Sequence, residues 1–172
     1  MSIKLDFIVV NWNNKKGLFP CLKAIFNQSK KPGKVIVVDN GSIDGSAEMV
    51  ERMFPKVKLI RFHKNLGLCA ATNIGFMNTV AEFVAMVEHD AVISRNWSEE
   101  VLKAFSKEKD VAVVSPWVLQ KTKRGYVDVG LQGTYLPMVN GISAIRANIL
   151  RNNGQLIYDD DYFAYAQEQE FS

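Results

Sequence analysis

The chain opens on Leu5–Val10 (Leu-Asp-Phe-Ile-Val-Val), a near-continuous apolar run of the kind that forms a strand buried on both faces. Gly17–Asn27 then sets Leu18, Leu22, Ile25 and Phe26 at helical spacing, and Pro32-Gly33 turns the chain into the β-branched run Lys34–Val38. Asn40-Gly41-Ser42 reads as a turn, with Ser42 or Asp44 as N-cap of a helix over Ser46–Phe54 that Pro55 ends. Val57–Phe62 is the third strand. Asn65–Gly75 is a small-residue segment running into a helix that reaches about Val80; Phe83–Val87 is the fourth strand. Trp97–Phe105 reads as an amphipathic helix and Val111–Ser115 as the fifth strand. After Pro116 the period weakens. Gly125–Leu136 reads as a hairpin or loop, Ala144–Asn152 as a short helix closed by Asn153-Gly154, and Asp159–Ser172 as an acidic, aromatic stretch that begins a helix.

Strands alternating with helices through residue 115 predict a doubly wound α/β sheet with helices on both faces. At 172 residues the expectation is one domain with its own core. A net charge of +3 tolerates anionic ligands without arguing for nucleic acid, and the adjacent lysines Lys15-Lys16 and Lys30-Lys31 read as solvated loop charges. Cys21 and Cys69 sit among apolar neighbours and read as reduced core thiols, with no zinc spacing. No apolar run is long enough to span a membrane, and the first strand pattern starts too early to leave a signal peptide. The expectation is a cytoplasmic protein.

Candidate chemistry collects where these strands end. Open α/β sheets bind ligands at the carboxyl ends of their strands, which here are Asn11–Asn13, Asp39, Phe62–Asn65 and Glu88–Asp90. Glu88-His89-Asp90 caps the fourth strand with two carboxylates two residues apart, a pattern that either faces solvent or holds a divalent metal and, through it, phosphate. Asp39 either accepts hydrogen bonds from a base or ribose or simply caps the turn at Asn40-Gly41. Trp12 either stacks on a base or plugs a loop. Asn65-Leu66-Gly67 and Asn73-Ile74-Gly75 put small residues at a helix start, suited to backbone approach to phosphate or to a plain tight turn. Gly-x-Gly-x-x-Gly, a Gly-Lys-Ser/Thr loop and Gly-x-Ser-x-Gly are all missing, which disfavours dinucleotide binding, P-loop chemistry and a serine triad. Two histidines, His63 and His89, are too few for a histidine-rich metal site. In the tail, Asp159-Asp160-Asp161, Glu168 and Glu170 offer carboxylates that could take a proton from a hydroxyl, or form a solvated helix start.

Taken in order, these segments resemble the family 2 glycosyltransferases of GT-A fold. Val10-Asn11-Trp12-Asn13 is similar to the end of that family's first strand, in the flavour of its rhamnosyltransferase-like branch. Val38-Asp39-Asn40-Gly41-Ser42-Ile43-Asp44-Gly45-Ser46 resembles its Val-Asp-Asn-x-Ser-x-Asp-x-Ser segment. Asn65–Gly67 through Asn73–Gly75 resembles its Asn-x-Gly…Asn-x-Gly stretch, and Glu88-His89-Asp90 falls on its Asp-x-Asp position. More faintly, Asn140-Gly141-Ile142-Ser143 with Arg146 resembles the loop under the acceptor, Tyr158-Asp159-Asp160 its Phe-Asp-Glu, and Gln167-Glu168 its Glu-Asp. Glu88 and Gln167-Glu168 depart from the residues usual there.

The resemblance implies a Rossmann-like, mixed but mostly parallel sheet, with a donor half over 1–115 and an abbreviated acceptor half over 116–172. It implies an inverting, metal-dependent transfer of sugar from a nucleotide-diphosphate sugar to a glycan, lipid-linked or protein hydroxyl. Asn11, Trp12, Asp39, Asn65, Gly67, Asn73 and Glu88 would bind the nucleotide, and Asp90 with Glu88 would hold Mn²⁺ or Mg²⁺. Glu168, Asp160 or Asp161 would act as base. The rivals are a non-catalytic nucleotide- or glycan-binding module, a sugar nucleotidyltransferase, whose Gly-rich basic loop is missing from Asn11–Lys16, and a receiver-type domain, whose expected lysine is replaced by Ser115-Pro116.

Overall fold

The computed structural model describes residues 4–115, 119–122, 125–128, 142–152, 154 and 157–158. In chain order its elements are β1 (Leu5–Asn11), α1 (Lys15–Phe26), β2 (Val35–Asp39), α2 (Ser46–Met53), β3 (Lys58–Arg61), α3 (Leu68–Met77) and β4 (Phe83–Val87). Then come α4 (Trp97–Lys107), β5 (Val113–Val114), β6 (Leu119–Thr122), β7 (Gly125–Asp128), β8 (Ile142–Arg146) and α5 (Ala147–Asn152).

Six strands form one sheet in the order β3-β2-β1-β4-β8-β5, and β6 pairs with β7 in a separate two-stranded ribbon. β1 is parallel to both β2 and β4, and β2 to β3, whereas β8 runs antiparallel to β4 and to β5. The sheet is therefore mixed and mostly parallel, as expected for a GT-A fold. The order in which strands are added along the sheet reverses between β1 and β4, and the crevice at that switch is where such sheets take ligands.

Side chains alternate across β1. Leu5, Phe7 and Val9 join Val35, Val37, Phe83, Ala85 and Val87 in a core covered by Leu18, Leu22 and Ile25 of α1, Met49 and Val50 of α2, and Val101 and Phe105 of α4. Ile8, Val84 and Met86 point the other way, against Phe76 of α3. Each large side chain so buried contributes roughly 1.5–3 kcal/mol. The α3 side is close-fitting: a Cβ on Gly75 would lie 2.6 Å from Ile8 Cγ2, so only glycine lets the helix approach this near. Cys21 and Cys69 are buried free thiols.

Four expectations need correction. Residues 144–146, expected to start a helix, instead end strand β8 (Ile142–Arg146); only Ala147–Asn152 is helical. Without β8, the buried strand β4 would keep unpaired backbone groups along one edge, and that cost overrides local helical spacing. Helix α3 starts at Leu68 and ends at Met77, because Asn65–Gly67 is spent on a turn. The N-cap of α2 is Gly45, in the left-handed conformation at φ 78°, although Asp44 still accepts the Ser46 N–H at 3.0 Å. The fifth strand shrinks to Val113–Val114. Of the expected hairpin or loop over 125–136, Gly125–Asp128 pairs back with Leu119–Thr122, and residues 129–136 lie outside the described set. Among the described residues, no helix is long and apolar enough to cross a membrane.

Candidate active site

Asn11 and Asp39 end their strands as register partners. Asn11 is wholly buried, and its Nδ2 donates to Asp39 Oδ2 at 3.2 Å and to Ser42 Oγ at 3.1 Å. The other Asp39 oxygen accepts the Ser42 N–H at 2.9 Å. Ser42 Oγ also accepts the Asn13 N–H at 2.9 Å, while Asn13 Oδ1 accepts the Ile43 N–H at 2.8 Å. The loops after β1 and β2 are thus one hydrogen-bonded unit, and Asn13 reaches it at φ 49°, a left-handed conformation that asparagine tolerates. Within this unit Asn11 Oδ1 is buried with no hydrogen-bond partner. Trp12 stands partly out of it, at 53% exposure.

A second unit joins the loops after β2 and β3. Asn40 Nδ2 donates to Asn65 Oδ1 at 2.7 Å and to the Gly67 carbonyl at 3.1 Å, and Asn40 Oδ1 accepts the Leu66 N–H at 2.9 Å. Asn65 Oδ1 accepts the Gly67 N–H as well, at 2.8 Å, an Asx turn that delivers the chain to α3. Gly41 packs so tightly here, at φ 84°, that a Cβ would sit 2.7 Å from the Lys64 carbonyl carbon. Beside it opens a cleft of about 430 Å³ lined by Gly41, Ser42, Ile43, Arg61, Phe62 and His63.

Beyond β4, Glu88 and Asp90 project from the rim, both exposed. The Glu88 carboxyl is held above the usual carboxylate range, first by desolvation against the rim and then by the negative charge of Asp90. His89 between them turns inward, its Nδ1 3.2 Å from the Val10 carbonyl, and Cys21 Sγ lies 3.4 Å from the Glu88 carbonyl. Burial, with Asp90 close by, pushes the Cys21 thiol up to about 12, so it stays protonated and donates. The acidic turn is thereby tied to β1 and to α1.

No group of three or more His, Cys, Asp or Glu side chains converges among the described residues. Two hard carboxylate donors that repel one another nevertheless suit Mg²⁺ or Mn²⁺, which keep several waters and take further oxygens from a substrate's phosphates. A dication would offset the mutual repulsion that adds to burial in raising Glu88. The residues fit such an ion, provided that the ligand brings the remaining oxygens.

Residues 6–163 match the profile of glycosyl transferase family 2. The chain belongs to that family. A Haemophilus influenzae protein described as an uncharacterized glycosyltransferase is 22% identical to it over 190 residues, covering 97% of this chain and 58% of the relative. Among solved structures, residues 1–349 of Staphylococcus aureus TarS in complex with UDP superpose with a TM-score of 0.69 at 21% identity, covering 96% of this chain and 53% of that one. The mannosyltransferase PcManGT from Pyrobaculum calidifontis, in complex with GDP-Man and Mn²⁺, gives a TM-score of 0.73 at 21% identity, covering 92% and 48%. These likenesses establish the GT-A fold. The chain spans little more than half the length of these proteins, or less.

In this family 2 chain, Asn11, Trp12, Asp39, Glu88 and Asp90 share the rim at the crevice between β1 and β4 and its flank at β2. Asn65 and Gly67 stand beside it, engaged in the turn. Asn73 does not face the rim: it is 1% exposed, and its amide is taken by the backbone of Tyr158, donating to the carbonyl at 2.8 Å and accepting the N–H at 3.0 Å. Arg146 is likewise structural; it donates to the carbonyls of Val111 and Phe105 and pairs with Glu82. Asp159, Asp160, Asp161 and Glu168 lie outside the described residues. Sequence reasoning assigned no part in the rim to Ser42, Asn40 and Cys21. Asn and Ser flanking strand ends were the available signal, since such residues build turns with their own side chains.

Proposed function

We propose that this chain transfers a sugar from a nucleotide-diphosphate sugar to a hydroxyl of a glycan, lipid-linked or protein acceptor, with inversion at the anomeric carbon. The observation that carries the reading is the repelling pair Glu88–Asp90 across the crevice from the buried Asn11–Asp39 pair. Family membership supports it, as do the UDP and the GDP-Man with Mn²⁺ bound by two proteins of the same fold.

Trp12 offers a face on which a base can stack, and the Asn11–Asp39–Ser42 unit presents a fixed acceptor array to its edge and to the ribose. The turn from Asn65 to Gly67 and the start of α3 border the ribose and diphosphate. Asp90, with Glu88 in direct contact or in support, would hold Mg²⁺ or Mn²⁺, which when bound neutralises charge on the departing diphosphate. Glu168, or Asp160 or Asp161, accepts the acceptor's hydroxyl proton as its oxygen bonds to the anomeric carbon. The bond from that carbon to the diphosphate oxygen breaks, and nucleoside diphosphate leaves. Glu88 contacts ribose or steadies Asp90.

Calorimetric titration with UDP, GDP and dTDP, each with and without Mn²⁺, tests this reading. Tight metal-dependent binding of one nucleotide, abolished in Asp90→Ala, supports it and names the donor class. If none of the three binds, the donor site does not exist and a non-catalytic module takes its place.

A further inference from the structure

β1 stays paired with β2 to its last residue, Asn11 with Asp39, but with β4 only from Leu5–Phe83 to Ile8–Met86. Beyond Met86 a side chain makes the next link between β1 and the end of β4: His89 Nδ1 lies 3.2 Å from the carbonyl of Val10. A carbonyl oxygen can only accept, so Nδ1 carries the proton and donates. His89 and Asp90 occupy the two central positions of the tight turn Glu88–Ala91, closed by the Ala91 N–H on the Glu88 carbonyl at 3.0 Å. The same carbonyl accepts from the buried Cys21 thiol at 3.4 Å, which uses its second lone pair. The turn is thus pinned to β1 through His89 and to α1 through Cys21, while the Glu88 and Asp90 side chains stay exposed.

From this geometry we infer that His89 is a positioning residue for the Glu88–Asp90 pair: its bond to Val10 fixes the turn against β1, and it touches neither donor nor metal. The inference rests on the proposed function, in which that pair receives Mg²⁺ or Mn²⁺. Two carboxylates of like charge on one short turn push it open, and the bonds at His89 and at the Glu88 carbonyl oppose this. An ion with so few protein ligands must otherwise order the turn as it binds, so ordering it in advance appears directly as affinity. Groups that orient metal ligands without touching the metal typically account for about ten- to a hundredfold in metal affinity. Contacts of the nucleotide with Asn11, Trp12 and Asp39 do not pass through His89.

The test uses the full chain carrying His89→Ala, with His89→Asn as the conservative variant. Asparagine sets an N–H donor where Nδ1 stood, one bond beyond Cγ, and carries no charge. Thermal melts identify which variants fold. Calorimetry with UDP, GDP and dTDP then gives the factor by which Mn²⁺ tightens the nucleotide, and hydrogen exchange at the Ala91 amide reports the turn itself. In His89→Ala that factor should fall about tenfold, with metal-free affinity within about twofold of wild type and faster exchange at Ala91. His89→Asn should recover most of the loss. An undiminished Mn²⁺ factor in His89→Ala would overturn the inference. So would equal losses in both variants, which would assign the effect to the ring's bulk or charge, or a fall in metal-free affinity, which would make His89 a donor contact. Should His89→Ala not fold, Cys21→Ala removes the other donor to the turn; a fall of about threefold is expected, and no fall would refute the positioning. If Mn²⁺ does not tighten any nucleotide on wild type, the metal role in the proposed function fails and takes this inference with it, an outcome read from wild type alone.

Discussion

Asn40 donates a 2.7 Å hydrogen bond to the side-chain oxygen of Asn65, binding the loop that leaves β2 to the loop that leaves β3. Asn40 is 2% exposed and makes three such bonds, so its removal leaves Gly67 and Leu66 backbone groups without their partner. Asn40→Leu should cost roughly 2–4 kcal/mol of unfolding free energy, more than one hydrogen bond, because the stranded groups carry their own desolvation penalty. Urea denaturation measures it. A loss under about 0.5 kcal/mol would mean that water replaces the asparagine without strain.

Asp44 bridges two helix starts, accepting the Lys15 N–H at 2.7 Å and the Ser46 N–H at 3.0 Å, with the Ser46 hydroxyl also bound to it. Desolvation pushes its carboxyl up, but the bonds from Ser46 and Lys15 outweigh this and hold it below the ordinary aspartate value of 3.8. A depressed carboxyl stabilises the fold above its unfolded value and loses that contribution as pH falls through its folded value. Asp44→Ala should therefore lower stability at pH 7, by about 1 kcal/mol at most for charge-assisted bonds at so exposed a site. The gap from wild type should narrow below pH 3.8. Melting curves across that range decide it; a gap that stays constant with pH would rule out the charged form as the source.

Gly75→Ala would drive a methyl against Ile8, whose Cγ2 lies 2.6 Å from the ideal Cβ position. Overpacking of this kind should cost about 1–3 kcal/mol despite alanine's better helix propensity. Combined with Ile8→Ala, the loss should fall short of the sum of the single losses, since the second change empties the contested space. Strict additivity in the double mutant would show that α3 simply shifts outward.

Arg146 lies with its guanidinium carbon 5.0 Å from the Phe83 ring centre and 5.3 Å from that of Phe105. Its fork also donates to Val111 and Phe105 carbonyls, work that a single ammonium cannot reproduce. Arg146→Lys should destabilise by roughly 1–3 kcal/mol while nucleotide affinity is retained. Parallel melting and calorimetry would separate this from a role in ligand binding, where affinity would fall first.

The parallel half of the sheet was legible because buried strands write themselves as apolar runs: Leu5–Asn11, Val35–Asp39 and Phe83–Val87 lie within a residue or so of expectation. Asp39, Glu88 and Asp90 were legible for the same reason, as polar residues directly after such runs. β8 was not. Its Ile142-Ser-Ala-Ile-Arg merges in pattern with the helix that follows, and only the empty places beside β4 and β5 make it a strand. Asn40, Asn73 and Arg146 were misread or passed over because their partners lie 25, 85 and 35 positions away, beyond any local spacing rule.

The position of β8 sets an order of events for a chain emerging from the ribosome. Val113–Val114 of β5 is made before β8, yet β8 is its neighbour in the sheet and also that of β4. Until residue 146 is out, β4 presents an open edge of buried-type sequence, Phe-Val-Ala-Met-Val, at the centre of the future sheet. Such an edge is a template for pairing with other chains. A nascent or truncated product ending near residue 115 should thus need a chaperone where the longer chain does not, and insertion of the last central strand closes the interval of risk.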